Sequence, residues 1–320
     1  HALYDFASKY SSKSRNLFAW PGIESKARPF HPILNAQEVM REKYTSVESF
    51  QQLKKVDIGS GPRVRSFAVN SRGDIILLYH DKITVIYSTG GKKDVMFSNT
   101  TEMNLLRHGG SSVAVDSDDN VYAMTWHEVR DEDWEIKYDF VLYAFDENYN
   151  IKNVYVLDFL PTMRPLVEIA VDKNQNLIML TDLNYLVYVC DNTGKLKLQF
   201  QRDGDCLWSL SISNNNDIMI VSDDHSAIHT YSTDGDLKST IKVPDGHYTL
   251  HVAFHHAISK ILVLTRVRKE NSLFLLSYSE TGELENSVFF CEANAKVELK
   301  SHPSGPVAVR YNSSIIFLSE

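Results

Sequence analysis

Two short stretches concentrate side chains suited to recognising another molecule. WHEVRDEDWEIK, residues 126–137, carries Glu128, Asp131, Glu132, Asp133 and Glu135 against Arg130 and Lys137, with Trp126 and Trp134 among them. RVRKEN, residues 266–271, carries Arg266, Arg268 and Lys269 against Glu270. Aromatic and arginine side chains dominate interface energetics and opposed charge steers encounter, so exposed Trp126 and Trp134 beside such charge fit a protein or peptide partner. Trp208 and Tyr248 are read as further contacts, with Arg130. The alternative for the acidic stretch is a solvated hairpin extension whose charges keep the chain in solution.

Signatures of catalysis are sparse. HEVRDEDWE, from His127, lacks the second His of a zinc-protease motif, and no nucleophile elbow is found. STGGKKD, Ser88 to Asp94, contains Gly-Gly-Lys but reads as a hairpin turn rather than the start of a phosphate-binding helix. His255 and His256 read as a surface turn. Cys190, Cys206 and Cys291 form no CxxC pair, fall in or next to strands, and are expected to be buried rather than reactive. No cofactor is expected, and whether the chain is an enzyme stays open, with a non-catalytic role favoured.

The elements that must position these residues are set by a repeat. Blocks beginning at Ser66, Ser112, Glu168, Ser209, His251 and Glu298 follow one another at intervals of roughly 40 to 55 residues. Each reads as a short strand with a small residue near its middle (Ala68, Ala114, Ala170, Ser211, Ala253), a polar turn, an apolar strand, a loop, a β-branched and aromatic strand, a second turn and a last strand. The turns NSRGD, DSDDN, DKNQN and SNNND, and later DNTGKLKLQF, STDGDLKSTI and SETGELENSV, supply Asn, Asp and Gly that tolerate the left-handed backbone of a tight hairpin. Four-stranded antiparallel units of this length predict an all-β fold, a six-bladed β-propeller with small residues where the blades crowd at the axis.

The sixth block holds only three strands before Glu320, which would leave its outer edge unpaired. SFQQLKKVDIG, 49–59, is strand-like and has no blade of its own. It is therefore predicted to pair outside Ile315–Ser319 as the fourth strand, closing the ring through the two ends of the chain. Residues 1–48, with three of the nine prolines and an Asn35/Glu38 capping-box pair, are predicted to be an arm or linker preceding a propeller over 49–320.

On this frame the two charged stretches belong to blades two and five, opposite each other on one face of a six-blade ring. A third group gathers at the channel mouth: the first inner-strand positions include Glu168, His251 and Glu298. Two carboxylates and an imidazole are the donors a divalent cation takes, as in metal-dependent propeller hydrolases of the gluconolactonase type. The alternative is that Glu168 and Glu298 pair with Arg164 and Lys300 or are solvated at the rim.

Asn214 to Ile241, NNNDIMIVSDDHSAIHTYSTDGDLKSTI, resembles the NHL repeat, and VEIAVDKNQNLIMLTDLNYLVYVCDNTGKLKLQF from Val167 is similar to it. The resemblance spans roughly Ser60 to Glu320 and is strongest in blades three and four. It implies a recognition domain of the kind found at the C-terminal end of tripartite-motif ubiquitin ligases, whose top face binds protein or single-stranded RNA. The RNA binders of that group use a basic top face.

A formal charge of −8 opposes the phosphate backbone and disfavours RNA, whose contacts would be Arg63, Arg65, Arg107, Arg164, Arg266 and Arg268 with stacking aromatics. No apolar run approaches the ~20 residues of a membrane helix, so no membrane partner is expected. Unpaired cysteines fit a reducing, cytoplasmic setting.

Overall fold

The computed structural model describes residues 52–318 apart from 60–62, 98–106, 131–134, 162–166, 182–185, 202–208, 223 and 294–295. The arm expected over 1–48 lies outside the described residues. A first strand, β1 (Gln52–Asp57), precedes blade one, which comprises β2 (Ser66–Val69), β3 (Ile75–Leu78), β4 (Lys82–Ile86) and β5 (Lys92–Met96). Blade two is β6 (Arg107–Val115), β7 (Val121–Arg130), β8 (Ile136–Phe145) and β9 (Ile151–Val156). Blade three is β10 (Val167–Val171), β11 (Leu177–Thr181), β12 (Leu186–Cys190) and β13 (Leu196–Gln201). Blade four is β14 (Leu210–Ile212), β15 (Ile218–Val221), β16 (Ala227–Tyr231) and β17 (Leu237–Lys242). Blade five is β18 (His247–His255), β19 (Lys260–Val267), β20 (Ser272–Ser279) and β21 (Leu284–Glu292). β22 (Val297–Ser301), β23 (Val307–Tyr311) and β24 (Ser314–Leu318) begin blade six. Five sheets run in simple sequence order, and the sixth runs β1-β24-β23-β22. The protein is a six-bladed β-propeller.

The ring closes as the repeat required. β1 pairs antiparallel with β24, from Gln52 opposite Leu318 to Asp57 opposite Ser314, and Ile58 N–H donates to Ser313 O at 2.8 Å. The exposed edge that three strands would leave on blade six is thereby covered.

Runs such as IILL in β3, LIMLT in β11, IMIV in β15 and ILVL in β19 show no polar alternation because both faces of every blade are buried. Successive side chains point to opposite faces, so one strand feeds two cores. Ile76 and Leu78 pack against blade two with Val113, Ala123 and Tyr143, while Ile75 and Leu77 pack against blade six with Ala308, Ile315 and Phe317. Six apolar clusters result, one at each interface between adjacent blades. The outer strands, with one face free, alternate as expected: β5 and β13 switch between exposed and half-buried at each step.

The hairpin turns owe their shape to their first residue. Asn70, Asp116, Asp146, Asp172, Asp191, Ser213 and Ser232 each accept, on a side-chain oxygen, from the backbone N–H two and four residues on. The residue three positions on is left-handed in every case: Gly73, Asp119, Tyr149, Gln175, Gly194, Asn216 and Gly235. Glycine is therefore one solution among several. Where Tyr149 or Gln175 takes that conformation, side-chain bonds made by the first residue hold the turn.

Small inner-strand residues also link blades. Ser209 Oγ accepts from Val252 N–H at 3.1 Å and Ser211 Oγ accepts from Phe254 N–H at 2.9 Å, so blade four is tied to the innermost strand of blade five. Ser111 does the same between blades two and three, exchanging two 2.8 Å bonds with Val167. Among the described residues no helix is long and apolar enough to cross a membrane.

Candidate functional site

The face carrying the turns of the preceding paragraphs satisfies its own polar groups. Asp119 accepts from Ser71 N–H at 2.8 Å and Ser71 Oγ at 2.6 Å across the blade one–two seam, and Asn216 accepts from Lys173 N–H at 3.0 Å across the next but one. The buried Tyr149 hydroxyl donates to Asp74 at 2.8 Å. His255 and His256, read from sequence as a surface turn, belong to this satisfied face. His255 is 6% exposed, and His256 Nδ1 lies 2.9 Å from Asn214 Oδ1, burial holding its pKa down to about 4. The opposite face, where strands two and three of each blade meet and blades join, is where the charged stretches emerge.

The acidic stretch of blade two is largely strand. β7 and β8 run ten residues each and stay paired from Val121–Phe145 to Arg130–Ile136, a hairpin extended well beyond β9. Trp126 is consequently not an exposed anchor. It is 8% exposed and faces blade three with Tyr122 and Met124, which precede it at strand spacing. Its ring meets Tyr138 edge-on at 5.8 Å, and a Cβ on Gly109 would come within 2.8 Å of it. Arg130 ends β7 opposite Ile136. Trp134, Trp208, Asp131, Glu132, Asp133 and Arg164 lie outside the described residues.

The basic stretch of blade five is brought together with aromatic neighbours. Arg266 sits within β19, not in a loop, and pairs directly with Tyr248 on β18. Tyr248 stacks on His225 of blade four with centroids 3.7 Å apart and planes 20° from parallel. Arg268, exposed in the β19–β20 turn, caps the same ring with its guanidinium carbon 4.5 Å from the centroid. Arg266 Nη2 donates to Asn271 Oδ1 at 3.0 Å, while its buried Nε has no partner among the described residues. His225 Nδ1 lies 2.6 Å from Thr249 O, which fixes the ring on which Tyr248 rests. Asp224 beside it is held down to about 2 by hydrogen bonds from Ser226 and Ser222. Nothing in the sequence singles out His225, because the ring it supports, Tyr248, belongs to the next blade.

The channel mouth takes a form different from a metal centre. Lys300, two residues after Glu298 on β22, occupies the inner-strand position filled elsewhere by Ala68, Ala114, Ala170, Ser211 and Ala253. Its ammonium bridges the ring, contacting Glu168 of blade three and lying 3.9 Å from Glu298. Glu298 further accepts from Ser66 Oγ at 2.9 Å and pairs with Arg310 at 3.3 Å. Burial raises the pKa of Glu298 and the Lys300 ammonium opposes that shift; in return the two carboxylates raise Lys300 against the opposing effect of burial. His251 is pushed down to about 3, by burial first and then by Lys300. Glu168, His251 and Glu298 therefore do not converge on a vacant cation position. Among the described residues no group of three or more His, Cys, Asp or Glu side chains is placed to hold a metal ion. Of the two partners weighed from sequence, Lys300 lies between Glu168 and Glu298, and Arg164 lies outside the described residues.

Below this cluster the axial cavity measures about 50 Å³ and is lined by Ala68, Ala114, Ala170, Ser211, Ala253 and Lys300. It has room for water rather than an organic substrate.

Neither a protein-family model nor a curated protein matches the sequence. Solved structures do resemble it. A chain of the mitotic checkpoint complex is 12% identical with a TM-score of 0.56, the match covering 95% of this chain and 98% of that one. Virginiamycin B lyase from Staphylococcus aureus is 11% identical with a TM-score of 0.55, covering 85% of this chain and all of that one. A streptogramin B lyase is 12% identical with a TM-score of 0.52, covering 83% and 97%. At these identities the likeness is one of fold: the chain shares the propeller architecture of proteins that differ in what they do.

Proposed function

We propose that the protein is a non-catalytic recognition module that binds a protein or peptide on the face carrying Tyr248, Arg266 and Arg268. The observation that carries this reading is the stack of Arg268 on Tyr248 on His225, beside Arg266. A solvent-facing guanidinium held over a tyrosine is pre-ordered, so a partner's carboxylate or aromatic group meets it with little further loss of rotamer freedom. The stretch that is acidic in sequence belongs to blade two, opposite blade five in the ring, and charge of the other sign there would orient a partner. Blades three and four, with their NHL-like pattern, support a recognition role, and substrate recognition within a ubiquitin ligase is the specific form that the resemblance favours. A similar propeller chain is part of the mitotic checkpoint complex, in keeping with a role in assembly.

The test is affinity capture compared between the wild-type chain and Arg266→Ala/Arg268→Ala, with captured proteins identified by mass spectrometry. Proteins lost with the double variant, and restored by Arg268→Lys only in part, are the expected result. An unchanged set of partners would overturn the assignment of this face. Random single-stranded oligonucleotides titrated at two salt concentrations provide the contrasting outcome: tight, salt-sensitive binding would replace the protein partner with RNA.

A further inference from the structure

The seam at which β1 joins blade six contains a second recess, distinct from the Tyr248 cluster. It measures about 290 Å³, and its walls include Gly59 after β1, Arg63 before β2, Lys296 before β22, Arg310 on β23, and Asn312 and Ser313 in the β23–β24 turn. Three cationic side chains from three separate stretches thus meet around one space. Arg310 is 6% exposed; its Nη2 donates to Val64 O at 3.2 Å, its Nη1 donates to Glu298, and its buried Nε has no partner among the described residues. Arg63 and Lys296 are exposed at the mouth.

The charges around the recess do not cancel. Glu298 is shared between Arg310 and Lys300, and Lys300 is engaged with Glu168 as well. Asp57 accepts the Gly59 N–H at 2.8 Å, which leaves its negative charge in place, so Asp57 and Glu298 are two carboxylates set against Arg63, Lys296, Arg310 and Arg65. Arg65 adds a further positive charge, its guanidinium hydrogen-bonded to the His80 ring. Burial lowers the pKa of Lys296, repulsion from Arg63, Arg310 and Arg65 lowers it further, and Glu298 opposes them.

The geometry points to an oxyanion site at this seam, taking a phosphoryl or carboxylate group against Arg63, Lys296 and Arg310 with Asn312 and Ser313 as polar wall. Guanidinium and ammonium donors converging on a recess, with an amide and a hydroxyl beside them, are the chemistry that such groups require. The recess is larger than one phosphate, so the group is part of a larger polyanion or is carried on a peptide side chain. A ligand here touches Gly59, just after the closing strand β1, and Ser313, just before β24 against which it closes, and therefore stabilises closure by mass action.

Calorimetric titration of the full chain at low ionic strength with inorganic pyrophosphate, citrate and a short phosphoserine peptide tests this. Saturable binding of at least one probe is expected, accompanied by a higher melting temperature. Arg63→Ala and Lys296→Ala should each weaken it by about tenfold, the loss of one charge-assisted contact. Both side chains are exposed, so the variants retain the fold, which circular dichroism checks. Lys242→Ala, an exposed cation elsewhere, should leave the affinity unchanged. Preference for pyrophosphate or citrate identifies a free oxyanion as the ligand, and preference for the peptide identifies a modified partner; either result supports the site. Absence of saturable binding by all three probes, or equal weakening by Lys242→Ala, overturns it. The outcome is independent of the partner-binding reading, which rests on Arg266 and Arg268.

Discussion

Replacing Lys300 by Met keeps the side chain's length and removes its charge from the channel. The ammonium contacts Glu168 and lies 3.9 Å from Glu298, and the three side chains are 14%, 19% and 13% exposed respectively. A pair of unit charges about 4 Å apart is worth about 4 kcal/mol at an effective dielectric constant of 20. Desolvation offsets much of that in the intact cluster, but deleting one partner leaves carboxylates uncompensated, which costs about 3–5 kcal/mol. Arg310 still neutralises Glu298 in part, so the lower end of that range is expected. Glu298 is already held above the ordinary carboxylate value of 4.5, by burial first and by Glu168, and losing Lys300 raises it further. A carboxyl with a raised folded pKa favours the native state fully below its unfolded value, and that advantage is lost as pH rises through the folded value. The deficit of Lys300→Met should therefore be full at neutral pH and shrink as pH falls towards about 5. Urea unfolding followed by tryptophan fluorescence at the two pH values reads it, and Glu168→Gln added to Lys300→Met should restore part of the loss. A deficit below about 1 kcal/mol at neutral pH, or one equal at both pH values, would refute the reasoning, since surface ion pairs behave that way.

Three other outcomes follow from the same structure. Deleting residues 1–57 removes β1 and exposes β24 from Ser314 to Leu318, so the truncated chain should elute as soluble aggregates in size-exclusion chromatography; a stable monomer would show that closure does not depend on this strand. Gly235→Ala puts a Cβ 2.5 Å from Phe200 at φ +94°, whereas Gly246→Ala at φ +85° meets nothing within 4 Å, so the first should lower the urea midpoint clearly more than the second, whose cost is about 1–2 kcal/mol from backbone strain alone. Cys190 is buried and its pKa is pushed up to about 12 by burial, so a thiol reagent at mildly alkaline pH should modify it only as fast as the protein opens, and more slowly than the half-buried Cys291; rapid modification of the native chain at Cys190 would contradict its buried position.

The propeller was legible because its determinants are local and repeated. Short apolar strands at regular spacing, Asn, Asp and Gly in the turns between them and a three-strand final block each leave a mark in the sequence, and together they require a closing strand from the other chain end. Trp126 shows where such reading stops. Whether WHEVR is loop or strand depends on how far β7 and β8 remain paired, and that pairing buries the indole against blade three. The same limit applies to Tyr248: its place near Arg266 follows from strand pairing within blade five, but the His225 ring beneath it comes from the neighbouring blade.

The sequence by itself determined the number of blades, their order, the position of the turns and the route by which the ring closes, since each follows from the block repeat and from turn chemistry within a few tens of residues. Tertiary structure alone decided which charges meet. Glu168 and Lys300 are 132 residues apart, and Arg63 and Lys296 line one recess from opposite ends of the propeller. Charges act through space over a few ångströms, and only the closing of six blades into a ring brings those residues within that range.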